Sequence, residues 1–325
     1  MKVAIIGTWH VHTTEYATAI QEHPQAELVC CWDNDAESGR AFAEKMNIPF
    51  VEDVNEIWKN PEIDSVQITT ATTLHKEVLI AAAKSGKNIF TEKVLAVTNE
   101  EADEIAAAIK ASTGKFTISF PHKTTPAYQA AKKLVDDGKL GKITYARIHN
   151  FHNGSIADWL PDTFYNTAET GGGAMMDLGA HPMYTLNAFL GTPKSIVSMF
   201  TDVTNRGVED NAVSVIEFEN GAIGVSETGF VTEGNNYMLE MSGTEGSVLV
   251  HPNGVNYTSK TETDSKCTTL EDLPERLPSP IVEWIEAVIG NTEPPCEYNV
   301  DKAVALTNFM VGAYASHESG KKYHF

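Results

Sequence analysis

Long apolar runs, cysteine pairs and an excess of positive charge are what this sequence lacks. No stretch approaches the roughly 20 apolar residues that a membrane-spanning helix needs, so no membrane partner is expected. The opening Met1-Lys2-Val3-Ala4-Ile5-Ile6-Gly7 enters a short apolar run. It has neither the longer apolar core nor the small-residue cleavage site of a signal peptide, and the cytoplasm is the expected compartment. Only 4 cysteines occur in 325 residues. Cys30 and Cys31 are adjacent inside an apolar run, and Cys267 and Cys296 lie far apart in polar surroundings. Without a C-x-x-C spacing, neither a disulfide framework nor a cysteine zinc site is indicated. Lys and Arg number 24 against 44 Asp and Glu, a formal net charge of −20. A surface this acidic repels nucleic acid and anionic lipid, which excludes polyanion binding as the main function.

What is present reads as an ordinary globular α/β chain. Hydrophobic residues make up 42% and charged residues 21%, and the length favours two domains. Short apolar runs at Val3–Ile6, Glu27–Trp32, Asp64–Thr69, Asn88–Thr91 and Lys115–Phe120 predict strands. They alternate with predicted helices at Thr13–Glu22, Asp35–Met46, Leu74–Lys84 and Asn99–Ala111. Strands alternating with helices of this length imply βαβ units, a parallel sheet and a doubly wound Rossmann-type domain over residues 1–120. Ligands bind outside the C-terminal ends of such strands. The segments of interest are therefore Gly7–His12, Asp33, Thr70–His75, Glu92-Lys93 and Pro121-His122.

Beyond Phe120 the pattern changes. After a helix at Ala127–Asp136, strand-like runs follow at Ile143–Phe151, Ser195–Phe200, Ala212–Phe218, Ala222–Thr228, Tyr237–Ser242 and Ser247–His251. Asn220-Gly221 predicts a hairpin with a type I′ turn. Helices at Pro280–Ile289 and Val300–Ser316 close the chain. Residues 121–325 thus read as an α+β domain with an antiparallel or mixed sheet, whose last helix can pack back on the first domain.

A dinucleotide fold normally carries G-x-G-x-x-G after its first strand. Here the loop is Gly7-Thr8-Trp9-His10-Val11-His12, with Trp9 and His12 in the places of the second and third glycines. The helix N-terminus after Gly7 still offers N–H groups and a positive dipole end to a pyrophosphate, which His10 or His12 can supplement. Packing of Trp9 and His12 between helix and sheet is the competing reading. Asp33 follows the second strand, where a carboxylate accepts hydrogen bonds from the adenosine ribose and repels a 2′-phosphate. NAD is therefore favoured over NADP. A simple turn or helix cap is the alternative role for Asp33.

Two further segments carry chemistry. In Glu169-Thr170-Gly171-Gly172-Gly173-Ala174-Met175-Met176-Asp177-Leu178-Gly179-Ala180-His181-Pro182, Asp177 and His181 are spaced i, i+4 and share one helix face. A carboxylate beside an imidazole orients it and raises its basicity. The other reading is a carboxylate cap and a core histidine. Thr91-Glu92-Lys93 directly follows a strand, so Lys93 faces the ligand crevice and can bind a substrate oxygen. The other reading there is a solvated Lys–Glu pair.

The order of these features resembles the Gfo/Idh/MocA oxidoreductases. It runs from the glycine loop at Gly7 through Asp33, the His75 turn (TTATTLH) and Glu92-Lys93 to GGGAMMDLGAHPMY and the GTEG at Gly243–Gly246. The likeness extends over nearly the whole chain, and GGG…D-x-G-x-H is its most specific part. The resemblance implies an N-terminal Rossmann domain and a C-terminal domain with an open, mostly antiparallel sheet that serves a homodimer or homotetramer. It implies reversible hydride transfer between nicotinamide and a CH–OH carbon of a sugar, inositol or related polyol. Lys93 would bind the reacting hydroxyl and the nicotinamide ribose, Asp177 would orient that hydroxyl, and His181 would act as general base or acid. Cofactor contact falls to Gly7, Trp9, His10, Val11, Asp33, Thr70, Ala71, His75, Glu92 and Lys93. The family's usual E-K-P reads Glu92-Lys93-Val94 here. Ala71 and Thr72 stand where a proline and an asparagine are common.

The chain has 11 histidines, among them His10, His12, His75, His122, His149, His152 and His181 near the expected crevice. His152 and Trp159, with Asp158 and Asp162 close by, form a polar and aromatic set assigned to substrate contact. No metal is assigned. His10-x-His12 and His149-x-x-His152 offer imidazoles to a metal-assisted enzyme, but no segment has convincing ligand spacing. A sensor without turnover is the other alternative, against which Lys93, Asp177 and His181 argue.

Overall fold

Strand β1 (Lys2–Ile6) is fully apolar beyond Lys2 and is an interior strand of a five-stranded parallel sheet. The computed structural model describes residues 1–234 and 236–325. The chain divides into two units, Met1–Phe120 with Pro278–Thr307, and Pro121–Leu277 with Asn308–Phe325. In the first unit α1 (Thr13–Glu22), β2 (Glu27–Trp32), α2 (Ala36–Met46), α3 (Val54–Lys59), β3 (Ser65–Ile68), α4 (His75–Lys84), β4 (Asn88–Thr91), α5 (Asn99–Ala111) and β5 (Phe116–Ile118) follow β1. The sheet order is β2-β1-β3-β4-β5. A single parallel bridge, Cys31 to Phe50, adds a vestigial strand outside β2. With it the order becomes that of a six-stranded dinucleotide-binding sheet, with its crevice at the switch between β1 and β3.

Sequence cues place the helix starts. The Asp35 side chain accepts the Glu37 N–H, the Asp53 side chain the Asn55 N–H, and Thr98 Oγ1 the Glu101 N–H. Helix α3 is too short for its periodicity to stand out in the sequence, and it went unpredicted. The core joins Val3, Ile5, Leu28 and Cys31 of the sheet to Tyr16, Ala17 and Ile20 of α1 and Phe42 and Met46 of α2. The helix Pro280–Ile289 inserts Trp284, fully buried, with its ring centroid 5.7 Å from that of Phe90. Burying a side chain of this size contributes on the order of 2–3 kcal/mol. That helix belongs to the first unit, although it lies within the stretch read from sequence as the second domain.

In the second unit α6 (Pro126–Asp136) and β6 (Ile143–Phe151) precede three short helices, α7 (Thr167–Thr170), α8 (Ala174–Asp177) and α9 (Ala180–Leu190). Then come β7 (Pro193–Thr201), β8 (Asn211–Phe218), β9 (Ile223–Gly229), β10 (Tyr237–Gly243), β11 (Gly246–His251), β12 (Gly254–Ser259), β13 (Thr268–Thr269) and, at the C-terminus, β14 (Tyr323–His324). They form one sheet in the order β13-β12-β11-β10-β6-β9-β8-β7-β14. The β6–β9 pair is parallel and every other pair is antiparallel. Its α9-covered face is buried, with Ala146, Ile148, Ile216 and Leu239 in the core.

The β8–β9 hairpin forms where Asn220-Gly221 predicts it, but its turn is not type I′. Of the two residues only Gly221 has positive φ, +84°. The Gly221 N–H donates to the Phe218 carbonyl at 2.9 Å. This is a type I turn over Glu219-Asn220 followed by a left-handed glycine, the longer-loop solution for a hairpin.

Candidate active site

One group of candidate residues lies in the first unit, at the C-terminal edge of the parallel sheet. Gly7 ends β1 with φ +82°, and a Cβ there would come within 2.5 Å of the Thr70 backbone. Only glycine fits. The chain leaves β1 through Thr8, whose N–H and Oγ1 both donate to Asp33 Oδ2 at 2.5 and 2.6 Å. The Asp35 N–H donates to Asp33 Oδ1 at 2.7 Å. Asp33 is thus a buried clamp that ties the β1 loop to the β2 loop, with part of its acceptor capacity left for a ligand. Val11 is half exposed, and His12 begins α1 without a side-chain cap.

Behind this loop are buried polar atoms without protein partners. Thr70 Oγ1 and His75 Nε2 are both in this position. His75 Nδ1 pairs with the Val94 carbonyl at 2.9 Å. Burial pulls the His75 imidazole below its ordinary value, against the opposing effect of that bond. Ala71 precedes the short 3-10 turn Thr72–Leu74 that leads into His75. An uncapped helix start and orphaned buried polar atoms beside a glycine turn fit a dinucleotide.

Glu92 and Lys93 follow β4 and are both buried. Glu92 Oε2 accepts the Lys93 N–H at 3.0 Å. Glu92 Oε1 pairs with His12 Nδ1 at 3.1 Å, and His10 Nδ1 lies 3.9 Å from the same oxygen. The Tyr16 hydroxyl also donates to Oε1 and meets Ser119 Oγ at 2.8 Å. Burial alone would raise the Glu92 carboxyl. The His10 charge, the His12 hydrogen bond and charge, and the Lys93 charge outweigh it and hold Glu92 well below the usual carboxylate range. Burial, reinforced by that carboxylate, pushes the Tyr16 phenol well up. The Lys93–Val94 peptide bond is cis.

A separate group of candidate residues lies in the glycine-rich segment of the second unit. Gly171 ends α7 with φ +75°. A Cβ on Gly172 would lie 1.9 Å from the Tyr314 hydroxyl, and one on Gly173 2.1 Å from the Glu209 carbonyl. Glu209 accepts the Gly173 N–H at 2.8 Å, the Met175 N–H at 3.1 Å and the Tyr314 hydroxyl, so it caps α8. Burial raises the Glu209 carboxyl despite these three donors.

Asp177 and His181 do not share one unbroken helix. Asp177 ends α8 and His181 lies in the first turn of α9. Leu178 and Gly179 keep helical φ and ψ. The hydrogen-bond ladder slips at this join, because the Gly179 N–H reaches back to the Ala174 carbonyl and the His181 N–H only to Leu178. Buried His181 pairs through Nδ1 with the Tyr184 hydroxyl at 2.9 Å. Its ring stacks on His122, with centroids 4.3 Å apart. The His122 N–H donates to the same Tyr184 oxygen at 3.1 Å. The Tyr184 hydroxyl can therefore give its proton to His181 Nδ1 or accept one from it, and so supports either tautomer.

Tyr184 was not singled out from the sequence, although its i, i+3 spacing from His181 was legible. Glu209 and Tyr314 had no local signal. His152 stacks on Phe230 at 4.8 Å and packs against Trp159 at 4.7 Å. The Trp159 Nε1–H donates to Asn153 Oδ1, and its ring is 54% exposed. His149 pairs with Glu227, not with His152.

This fold is that of a protein with a Rossmann-type dinucleotide-binding domain. Residues 1–120 match the family model for the "Oxidoreductase family, NAD-binding Rossmann fold", and residues 128–249 match the GFO/IDH/MocA C-terminal domain. The chain belongs to the Gfo/Idh/MocA oxidoreductase family, and its cofactor is NAD. It is similar to scyllo-inositol 2-dehydrogenase (NAD(+)) of Bacillus subtilis, 29% identical over 77% of this chain and 73% of that one. A 1,5-anhydro-D-fructose reductase of Ensifer adhaerens is also 29% identical, over 69% of this chain and 68% of its own length. In fold it resembles levoglucosan dehydrogenase in complex with NADH, with a TM-score of 0.85, 20% identity and coverage of 100% and 98% of the two chains.

Proposed function

We propose that this oxidoreductase transfers a hydride between NAD and a CH–OH carbon of a sugar, inositol or related polyol, with Lys93, Asp177 and His181 as catalytic residues. His181 carries this reading. It is buried, stacked on His122 and held at Nδ1 by Tyr184, and the proton exchanged with substrate is assigned to its Nε2. Bound NAD supplies the hydride acceptor or donor. In oxidation His181 takes the hydroxyl proton, and in reduction it returns one. Lys93 binds the reacting oxygen and stabilises the negative charge that develops on it. Asp177 orients the hydroxyl. His152 and Trp159 offer a stacked aromatic surface for a sugar ring. Gly7, Trp9, His10, Val11, Asp33, Thr70, Ala71, His75 and Glu92 hold the dinucleotide, with the remaining Asp33 acceptor sites for ribose. The inositol and anhydro-sugar names of the relatives support the substrate class. The test is an NAD-coupled screen of sugars and inositols, followed by His181→Ala and Lys93→Met on the best substrate. Each should lower kcat about 10²–10⁴-fold, with NAD still bound by His181→Ala. Unchanged turnover in His181→Ala would refute the assignment.

The same reading assigns substrate binding and self-association to the second domain, residues 121–325, and cofactor binding to residues 1–120. Exposed Val197, Met199, Val213, Val215 and Ile223 support a homodimer or homotetramer formed through the C-terminal sheet. Four free cysteines are compatible with residence in the reducing cytoplasm. No helix among the described residues is long and apolar enough to cross a membrane.

A further inference from the structure

We propose that His10, His12 and Glu92 form a binding site for one divalent transition-metal ion beside the dinucleotide loop. One ligand atom from each residue lies within 4.8 Å of the others. His12 Nδ1 and His10 Nδ1 approach Glu92 Oε1 to 3.1 and 3.9 Å. Donors bound tetrahedrally at the usual zinc distances stand roughly 3.3 Å apart, so side-chain adjustments of about an ångström complete the set.

The surroundings are built to hold these groups. The Thr13 N–H and Oγ1 both donate to the His10 carbonyl, and the His10 N–H donates to Thr69. Glu92 is anchored at Oε2 by the Lys93 N–H, and Tyr16 donates to Oε1 from behind, as outer groups orient a ligating carboxylate. His10 Nδ1 accepts the His12 N–H at 3.2 Å, so this nitrogen presents a lone pair, and metal binding exchanges that hydrogen bond for a coordinate bond. Two imidazoles and one carboxylate select zinc, iron(II), cobalt or nickel over magnesium or calcium. Three protein ligands leave a position for water or another small ligand. The ion ties the β1 loop to the strand end that carries Lys93, and it takes no part in the hydride step.

The test is metal analysis of the full, untagged chain after chelator treatment and equilibration with Zn²⁺, and separately titration with Co²⁺ followed by its visible absorption. The expected result is one ion per chain, unaffected by excess Mg²⁺ and by alkylation of the exposed cysteines, with affinity reduced at least tenfold in His12→Gln and in Glu92→Gln. His149→Gln should bind as wild type. His12 is partly exposed, so its substitution leaves a folded chain for the comparison; circular dichroism checks this. Substoichiometric metal in the wild type, or unchanged binding in His12→Gln, overturns the proposal.

Discussion

Tyr184 holds His181 at Nδ1, and under the proposed acid–base role of His181 it sets the tautomer. A histidine that works as both acid and base needs a partner at its far nitrogen that accepts or donates, and a phenol already accepting a backbone N–H can do either. Tyr184→Phe should lower kcat about tenfold and displace the pH–rate profile while leaving KM nearly unchanged. A variant with the wild-type pH profile would show that Tyr184 only packs. At the other extreme of reactivity stand Cys30 and Cys31. Burial pushes the Cys30 thiol up to about 11, and burial with the neighbouring Cys30 and Asp33 charges pushes Cys31 up to about 12. At pH 8 the thiolate fraction of either is ~0.1% or less. A disulfide reagent should therefore label two thiols of the native chain, the exposed Cys267 and Cys296, and four after denaturation. Rapid labelling of a third native thiol would contradict this.

At the scale of elements, the glycine-rich segment is positioned by a residue far away in the chain. Glu209 caps α8 from the start of the β8 arm, and Tyr314 reaches it from the last helix, Val300–Ser319. Because burial raises the Glu209 carboxyl, the folded state holds its proton more tightly than the unfolded chain. The stability this gives is complete below the ordinary carboxylate value of 4.5 and is lost as pH rises through the higher native value. Glu209→Gln has no such proton to lose. Its unfolding free energy, read from urea titrations, should improve relative to wild type between pH 4 and pH 7, by about 1.4 kcal/mol for each unit by which the native value is raised. A pH-independent difference would mean that Glu209 does not ionise across this range. The elements themselves were legible to very different degrees. Thr13–Glu22, Glu27–Trp32, Asn88–Thr91, Asn99–Ala111 and Pro280–Ile289 have the bounds their local apolar pattern predicts. The strands β12, β13 and β14 were missed, because polar strands two to six residues long leave no periodic trace in the sequence.

On the scale of the whole molecule, the nine-stranded sheet leaves large apolar side chains exposed on one face. Cross-strand pairing sets Val197 beside Val215 and Met199 beside Val213, so their side chains form one apolar patch. Met199→Glu combined with Val215→Glu should convert an oligomer to monomers on size exclusion with light scattering, because a charge opposite an apolar partner remains desolvated. An unchanged mass would place the interface elsewhere.

The sequence by itself determined the α/β alternation, through covalent spacing and composition, and its short motifs carried the family resemblance, which in turn implied NAD and proposed Lys93, Asp177 and His181 as site residues. Tertiary structure alone decided that Asp33 clamps the Thr8 loop, that His10, His12 and Glu92 converge, and that Glu209 and Tyr314 hold the glycines before Asp177. Those neighbours come from segments far apart in the chain, and only the packing of strands and helices brings their side chains within hydrogen-bonding distance.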